Sequence, residues 1–400
     1  VLAFLLTLVS ATAGDAEVHW RGGRHAPAEL PAECPVAARQ AAEAWTAWAG
    51  ANDYRMDLDP AGRVLLISRA GNSQLDNQLI LCTRVVELFD QELPPPALRL
   101  APKPLVLEPE APPEPVVRPD TVPEDPEDPG GEDHPWTLEP TKPRPADRTS
   151  AEPKVTVWGA QDAPLDTETA VMLVVHDHVD LQAVLEHLSS TYAYLEGWAE
   201  KAGQQQGFVV GNPLVGAYVE NFSGQEEWDP QHELVSRLAR LLMLRRFGQQ
   251  PIWVSYGYAW HIEQKLFQSV YCFPWRDEFV YAVEHSAWPR EVRNRYQTRH
   301  LAARDFLTWR PGKYVSEKAQ AGWAFVEYLV ARRHDELPAL LEELRVKHLD
   351  DSRVKDGPSS WRRDVDYVIP VSQQEDLLEK HLGKAAMTDA TNFARHELGK

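Results

Sequence analysis

The sequence is short of positive charge and of cysteine, and each shortage narrows the possibilities. Lys and Arg number 41 against 60 Asp and Glu, for a net charge of −19. That balance argues against a nucleic-acid partner, which calls for a basic face. Three cysteines set no disulfide framework. Two readings of them stay open: Cys34 and Cys82 pair in an oxidising compartment, or Cys82 packs with Leu75, Leu79, Val86 and Phe89 on an apolar helix face. No apolar run is long enough to span a bilayer. Gly-rich phosphate loops, a Gly-x-Ser-x-Gly elbow and a Cys-x-x-Cys pair are also missing.

Among the features present, Leu2 to Val9 is an apolar run followed by the small residues Ala11, Thr12 and Ala13. This pattern predicts a secretory signal, truncated at its front, over residues 1–13, and hence an extracytoplasmic protein, periplasmic or secreted. Over residues 14–93 the periodicity predicts a helix at 35–48, a hairpin around Asp59-Pro60-Ala61-Gly62, and a helix from Ser73 to Leu93. Residues 94–153 hold more than half of the chain's 32 prolines together with acidic runs. That composition predicts an extended or disordered insertion looping out of the domain. Residues 154–400 then read as the main core and a C-terminal helical lobe. Strands are expected at KVTVWG, AVMLVVHD (buried on both faces), GFVVG and GAYVEN, and a helix from Leu181 to Lys201 capped by Asp180.

The most informative stretch is 229–264. Asp229 caps a helix with Pro230 at its first position, and Leu234, Val235, Leu238, Leu241 and Leu242 form its apolar stripe. Phe247-Gly248 ends this helix, and Pro251 opens a second one, PIWVSYGYAWHIEQ.

This pair of helices resembles the core of the gluzincin metallopeptidases, in particular the peptidase MA-like domains of bacterial secreted proteins. The family carries His-Glu-x-x-His on the first helix and a Glu on the second as third zinc ligand. His232 and Glu233 match the first two motif positions, metal ligand and general base. Ser236 replaces the second His, and Tyr256 replaces the ligand Glu. The resemblance implies an α+β fold, a small mixed sheet packed on a mainly helical C-terminal lobe. It also implies a substrate cleft with GAYVEN as its edge strand and Tyr218, Trp253 and Trp260 beside it. A later helix ends in Tyr328-Leu329 as in the family, whereas Ala319 stands where a catalysis-assisting Tyr often opens it.

Residue chemistry by itself also points to a lost site. A catalytic zinc takes three protein ligands and a water. Ser is a poor zinc ligand, and a phenol titrates near ~10. Two functions follow. The first is a non-catalytic protein, a pseudopeptidase without cofactor, that keeps the cleft for a peptide or protein. The alternative is an active zinc metallopeptidase in which His232 is helped by a non-standard ligand. His261 points away from Tyr256, at roughly 140° around the helix, and Glu263 lies about 10 Å further along it, so neither is expected to substitute. Without metal, His232 and Glu233 become structural remnants, Glu233 pairing with an arginine of 290–304 or bonding to Tyr256. Replacing either then costs at most roughly 1–2 kcal/mol. His176-Asp177-His178 is a second candidate: His-x-His on a strand puts two imidazoles on one face, against which stands its place where a strand ends and a helix begins.

Overall fold

Strands buried on both sides set the layering of this protein. The computed structural model describes residues 16–69, 71–103, 166–222, 228–273, 282–302, 304–355, 361–364 and 366–400. The larger of two compact units comprises Val1–Lys103, Gly159–Ser352 and Val365–Lys400. Its strands are β1 (Val18–Trp20), β2 (Gly23–His25), β3 (Arg55–Leu58), β4 (Val64–Ser68), β5 (Ala170–Val175), β6 (Gly207–Gly211) and β7 (Leu214–Val219). They form a seven-stranded mixed sheet in the order β2-β1-β3-β4-β5-β7-β6. The pairs β1–β3, β4–β5 and β5–β7 are parallel, and the others antiparallel.

Alternate residues of a strand point to opposite faces. Val64, Leu66, Met172 and Val174 enter one core, and Leu65, Ile67, Leu173 and Val175 enter another. The helices of this half are α1 (Val36–Ala51), α2 (Asn72–Glu92), α3 (His178–Thr191) and α4 (Glu196–Ala202), followed by α5 (Pro230–Phe247). α1, α3 and α4 cover the second core; α2 and α5 cover the first. The mixed sheet expected from the sequence is therefore larger, and helices flank both of its faces. Cys34 and Cys82 are free and lie in the two different cores, on opposite sides of the sheet.

Behind α5 stand α6 (Ile252–Phe267), α7 (Ala282–Gln297), α8 (Ser316–Arg332), α9 (Leu337–Asp351), α10 (Val371–Leu382) and α11 (Ala386–His396). α6 and α8 approach closely at Gly257, where an added Cβ would stand 2.9 Å from Val326 Cγ2 and 3.2 Å from the Gly322 carbonyl oxygen. No helix among the described residues is long and apolar enough to cross a membrane.

Three expectations change here. GAYVEN is not an edge: β7 lies between β5 and β6, and β6, folded back on β7 as a hairpin, is the outer strand. The helix expected over 181–201 is split into α3 and α4 with a 3-10 turn at Ala193–Leu195 between them. Its cap is Asp177, whose side chain accepts from the N–H groups of Val179 and Asp180, because the helix starts a turn earlier. Asp180 instead accepts a 2.5 Å bond from the Tyr54 hydroxyl.

KVTVWG and most of the Pro-rich stretch lie outside the described residues. Its two flanks meet, however. Arg99 Nη2 stands 2.8 Å from Asp166 Oδ2, and Asp166 Oδ1 accepts from Arg245 and Arg246 at 3.0 and 3.1 Å. Glu342 holds the outgoing chain at Arg99 and at the Leu100 N–H. Arg99, Asp166, Arg245, Arg246 and Glu342 thus form one ion-paired cluster within the larger unit. The smaller unit comprises Pro104–Trp158 and Arg353–Asp364, and its described part is an antiparallel pair, β8 (Arg353–Lys355) and β9 (Trp361–Arg363).

Candidate functional site

Asp229 places the candidate site at the start of α5. Its carboxylate accepts from the N–H groups of Gln231 and His232, and Pro230 fills the first helical position. His232 and Glu233 therefore sit in the first turn, 5 % and 6 % exposed. At the other end, Gly248, with φ of 61°, closes the helix and lets the chain turn into α6.

α6 runs back along α5, so its last turns face the first turn of α5. The distance along α6 that separates Glu263 from Tyr256 is what carries it to His232, a meeting that spacing on one helix does not reveal. Glu263 is fully buried, and its Oε2 lies 2.8 Å from His232 Nδ1. A carboxylate only accepts, so Nδ1 carries the proton. The same oxygen accepts the N–H groups of Tyr271 and Cys272 at 2.8 and 3.2 Å, whereas Oε1 has no partner among the described residues.

A second element completes the closure. Gln268 ends α6 in the left-handed region, and the chain from Ser269 to Phe273 folds back over the first turns of α5. Ser269 Oγ lies 3.1 Å from His232 Nε2. Phe267 and Tyr271 flank the imidazole, with centroids at 4.3 and 5.5 Å. The Cys272 thiol donates to Glu233 Oε1 at 3.5 Å and is hydrogen-bonded to Ser236. Burial, reinforced by the negative charge of Glu263, pushes this thiol well above the ordinary cysteine range, so it is no ready nucleophile. Glu233 pairs with Arg237, one turn along the same helix, rather than with an arginine of 290–304 or with Tyr256. In that stretch Arg295 pairs with Glu317 and Arg304 with Glu375.

Two donors on a tetrahedral zinc stand roughly 3.3 Å apart, from bonds of about 2.0–2.1 Å. His232 and Glu263 are closer than that and hydrogen-bonded. The remaining imidazole nitrogen meets a serine, and Glu233 meets a guanidinium. These residues do not fit a catalytic zinc. Among the described residues, no group of three or more His, Cys, Asp or Glu side chains is arranged to hold a metal.

The other replaced and cleft positions are packed. Ser236 is 2 % exposed. Tyr256 lies beneath the Arg240 guanidinium at 4.1 Å and next to Trp260 at 5.9 Å. Trp260 is buried, donates to the Cys272 carbonyl at 2.6 Å and stacks on Trp309. Trp253 is buried and donates to Gln374 Oε1 at 2.9 Å. Tyr218 is buried as well, though it borders a 310 Å³ cavity with Gln78, Glu220, Leu234 and Phe267. His176 and His178 do not share a strand face. β5 ends at Val175 and α3 begins at His178, so one imidazole meets Asn221 and the other Gln182.

Sequence reasoning missed a third cluster. His261, 2 % exposed, lies between Glu327 at 2.8 Å on Nδ1 and Glu92 at 2.9 Å on Nε2, tying α6 to α8 and α2. Burial works against its charge but is outweighed by Glu327 and Glu92, which push its pKa up to about 10. Glu92 shows the counterpart: burial raises it, yet the bond and charge of His261 leave it below the ordinary carboxylate range. Compared with models of known protein families and with curated proteins, the chain gave no match.

Proposed function

We propose that this protein is a non-catalytic relative of the gluzincin peptidases that binds an extended peptide. The observation that carries this reading is the occupation of the catalytic pair by the protein itself. Both ring nitrogens of His232 are bonded, to Glu263 and Ser269, and Glu233 is held by Arg237. The order β7, then α5 bearing His-Glu, then α6 supports the kinship. The peptide's place is the outer strand β6, which pairs only with β7 among the described strands and offers main-chain groups for strand addition. The apolar run at Leu2 to Val9 supports an extracytoplasmic setting for this activity.

One observation favours the rival zinc-peptidase reading: Glu263 is a ligand-type side chain next to His232, with one oxygen unpartnered. Metal analysis and assay decide between the two. The expected result is substoichiometric zinc, no cleavage of casein or a peptide library, and no rise in melting temperature on adding zinc, because a ligand specific to the native state must stabilise it. Near-equimolar zinc that a chelator removes together with peptidase activity would establish the rival.

A further inference from the structure

A cavity of 280 Å³ lies where β6, α5, the start of α6 and the segment before α10 come together. Its lining has a definite chemistry. Pro251, the N-cap of α6, supplies no side-chain cap, and the first N–H bonded within the helix is that of Val254. The N–H groups of Ile252 and Trp253 are left at the positive end of the helix dipole, beside the cavity. Arg240 adds a guanidinium that rests on the Tyr256 ring and forms no ion pair among the described residues. Gln250 adds the opposite requirement. It is 3 % exposed, and its Nε2 donates to the carbonyls of Phe247 and Leu341 at 2.7 and 3.0 Å, which fixes the orientation of the amide. Its Oε1 is thereby left as a buried acceptor with no partner among the described residues. Such an atom calls for a donor.

We propose that this cavity receives the C-terminal residue of the bound peptide, an inference that rests on the peptide-binding reading. The terminal carboxylate takes Arg240 and the free N–H groups of α6. The last residue's own N–H donates to Gln250 Oε1, so one amino-acid unit satisfies both requirements. Val209, Leu244, Ile252 and Ile369 receive an apolar side chain, and Val209 connects the cavity to β6, along which the preceding residues run.

The test uses the full chain and N-terminally fluorescein-labelled hexapeptide pools, randomised except for a final leucine, with either a free or an amidated C-terminus. Fluorescence polarisation should show the free acid binding at least about ten-fold more tightly, the worth of one charge-assisted contact. Arg240→Gln should abolish that preference with the thermal midpoint retained, and Arg240→Lys should restore part of it. Equal binding of both pools would overturn the C-terminal inference while leaving peptide binding intact. No binding of either pool would overturn the peptide reading itself. Preference for the free acid that survives Arg240→Gln would overturn the assignment to this cavity.

Discussion

Replacing His261 by Gln removes a buried cation and leaves Glu92 and Glu327 facing each other across its place. Their side chains are 10 % and 18 % exposed, so water screens little of the loss. Breaking such a buried arrangement costs about 3–5 kcal/mol. The pH dependence provides the sharper reading. The native pKa of His261, about 10, is raised above the ordinary histidine value of 6.5. Its contribution is therefore fully present below the unfolded pKa and disappears as pH rises from 6.5 towards 10. Between pH 6 and pH 8 the linkage relation gives a loss of about 2 kcal/mol from this group alone. Urea unfolding followed by tryptophan fluorescence at the two pH values measures it, and the window stops below the titration of cysteine thiols in the unfolded chain. Wild type should lose about 2 kcal/mol more than His261→Gln over this interval. Equal pH slopes for the two proteins would refute the argument that this imidazole is held as a cation.

His232→Ala should cost about 2–4 kcal/mol in the same assay, above the earlier range for a remnant, because it leaves buried Glu263 without its imidazole donor; a loss below 1 kcal/mol would show that the contact is idle. In denaturant without reductant, Ellman titration should count three thiols, whereas a count of one would reveal a Cys34–Cys82 bridge across the sheet. Gly257→Ala should destabilise by roughly 1–3 kcal/mol, since its Cβ would press on Val326 and the Gly322 backbone; an unchanged midpoint would mean that α6 and α8 are not in close contact there.

Local signals carried much of the fold. Asp229, Pro230, Gly248 and Pro251 mark the ends of α5 and α6 in the sequence and in the structure, because caps and breakers act on their own backbone. The unbroken apolar run of β5 identified a strand buried on both faces for the same kind of reason: each residue's surroundings are written in its own polarity. The junction of strand and helix at His176 and His178 was also legible, and the face the two imidazoles would share on a strand disappears once Asp177 caps α3.

What His232 meets was decided only by tertiary structure. The sequence shows Ser236 and Tyr256 where the resemblance expects a second His and a Glu, since that depends on side-chain identity alone. It does not show that Glu263 reaches the imidazole, because that contact depends on two helices running back along each other. Nor does it show that Ser269 and Cys272 lie over the first turns of α5, because their approach depends on Gln268 reversing the chain. His261 is the same case: on its own helix it points away from Tyr256, and its charge exists because α2 and α8 bring Glu92 and Glu327 to it. Composition and spacing set which residues are available for chemistry; packing across distant segments sets which of them meet.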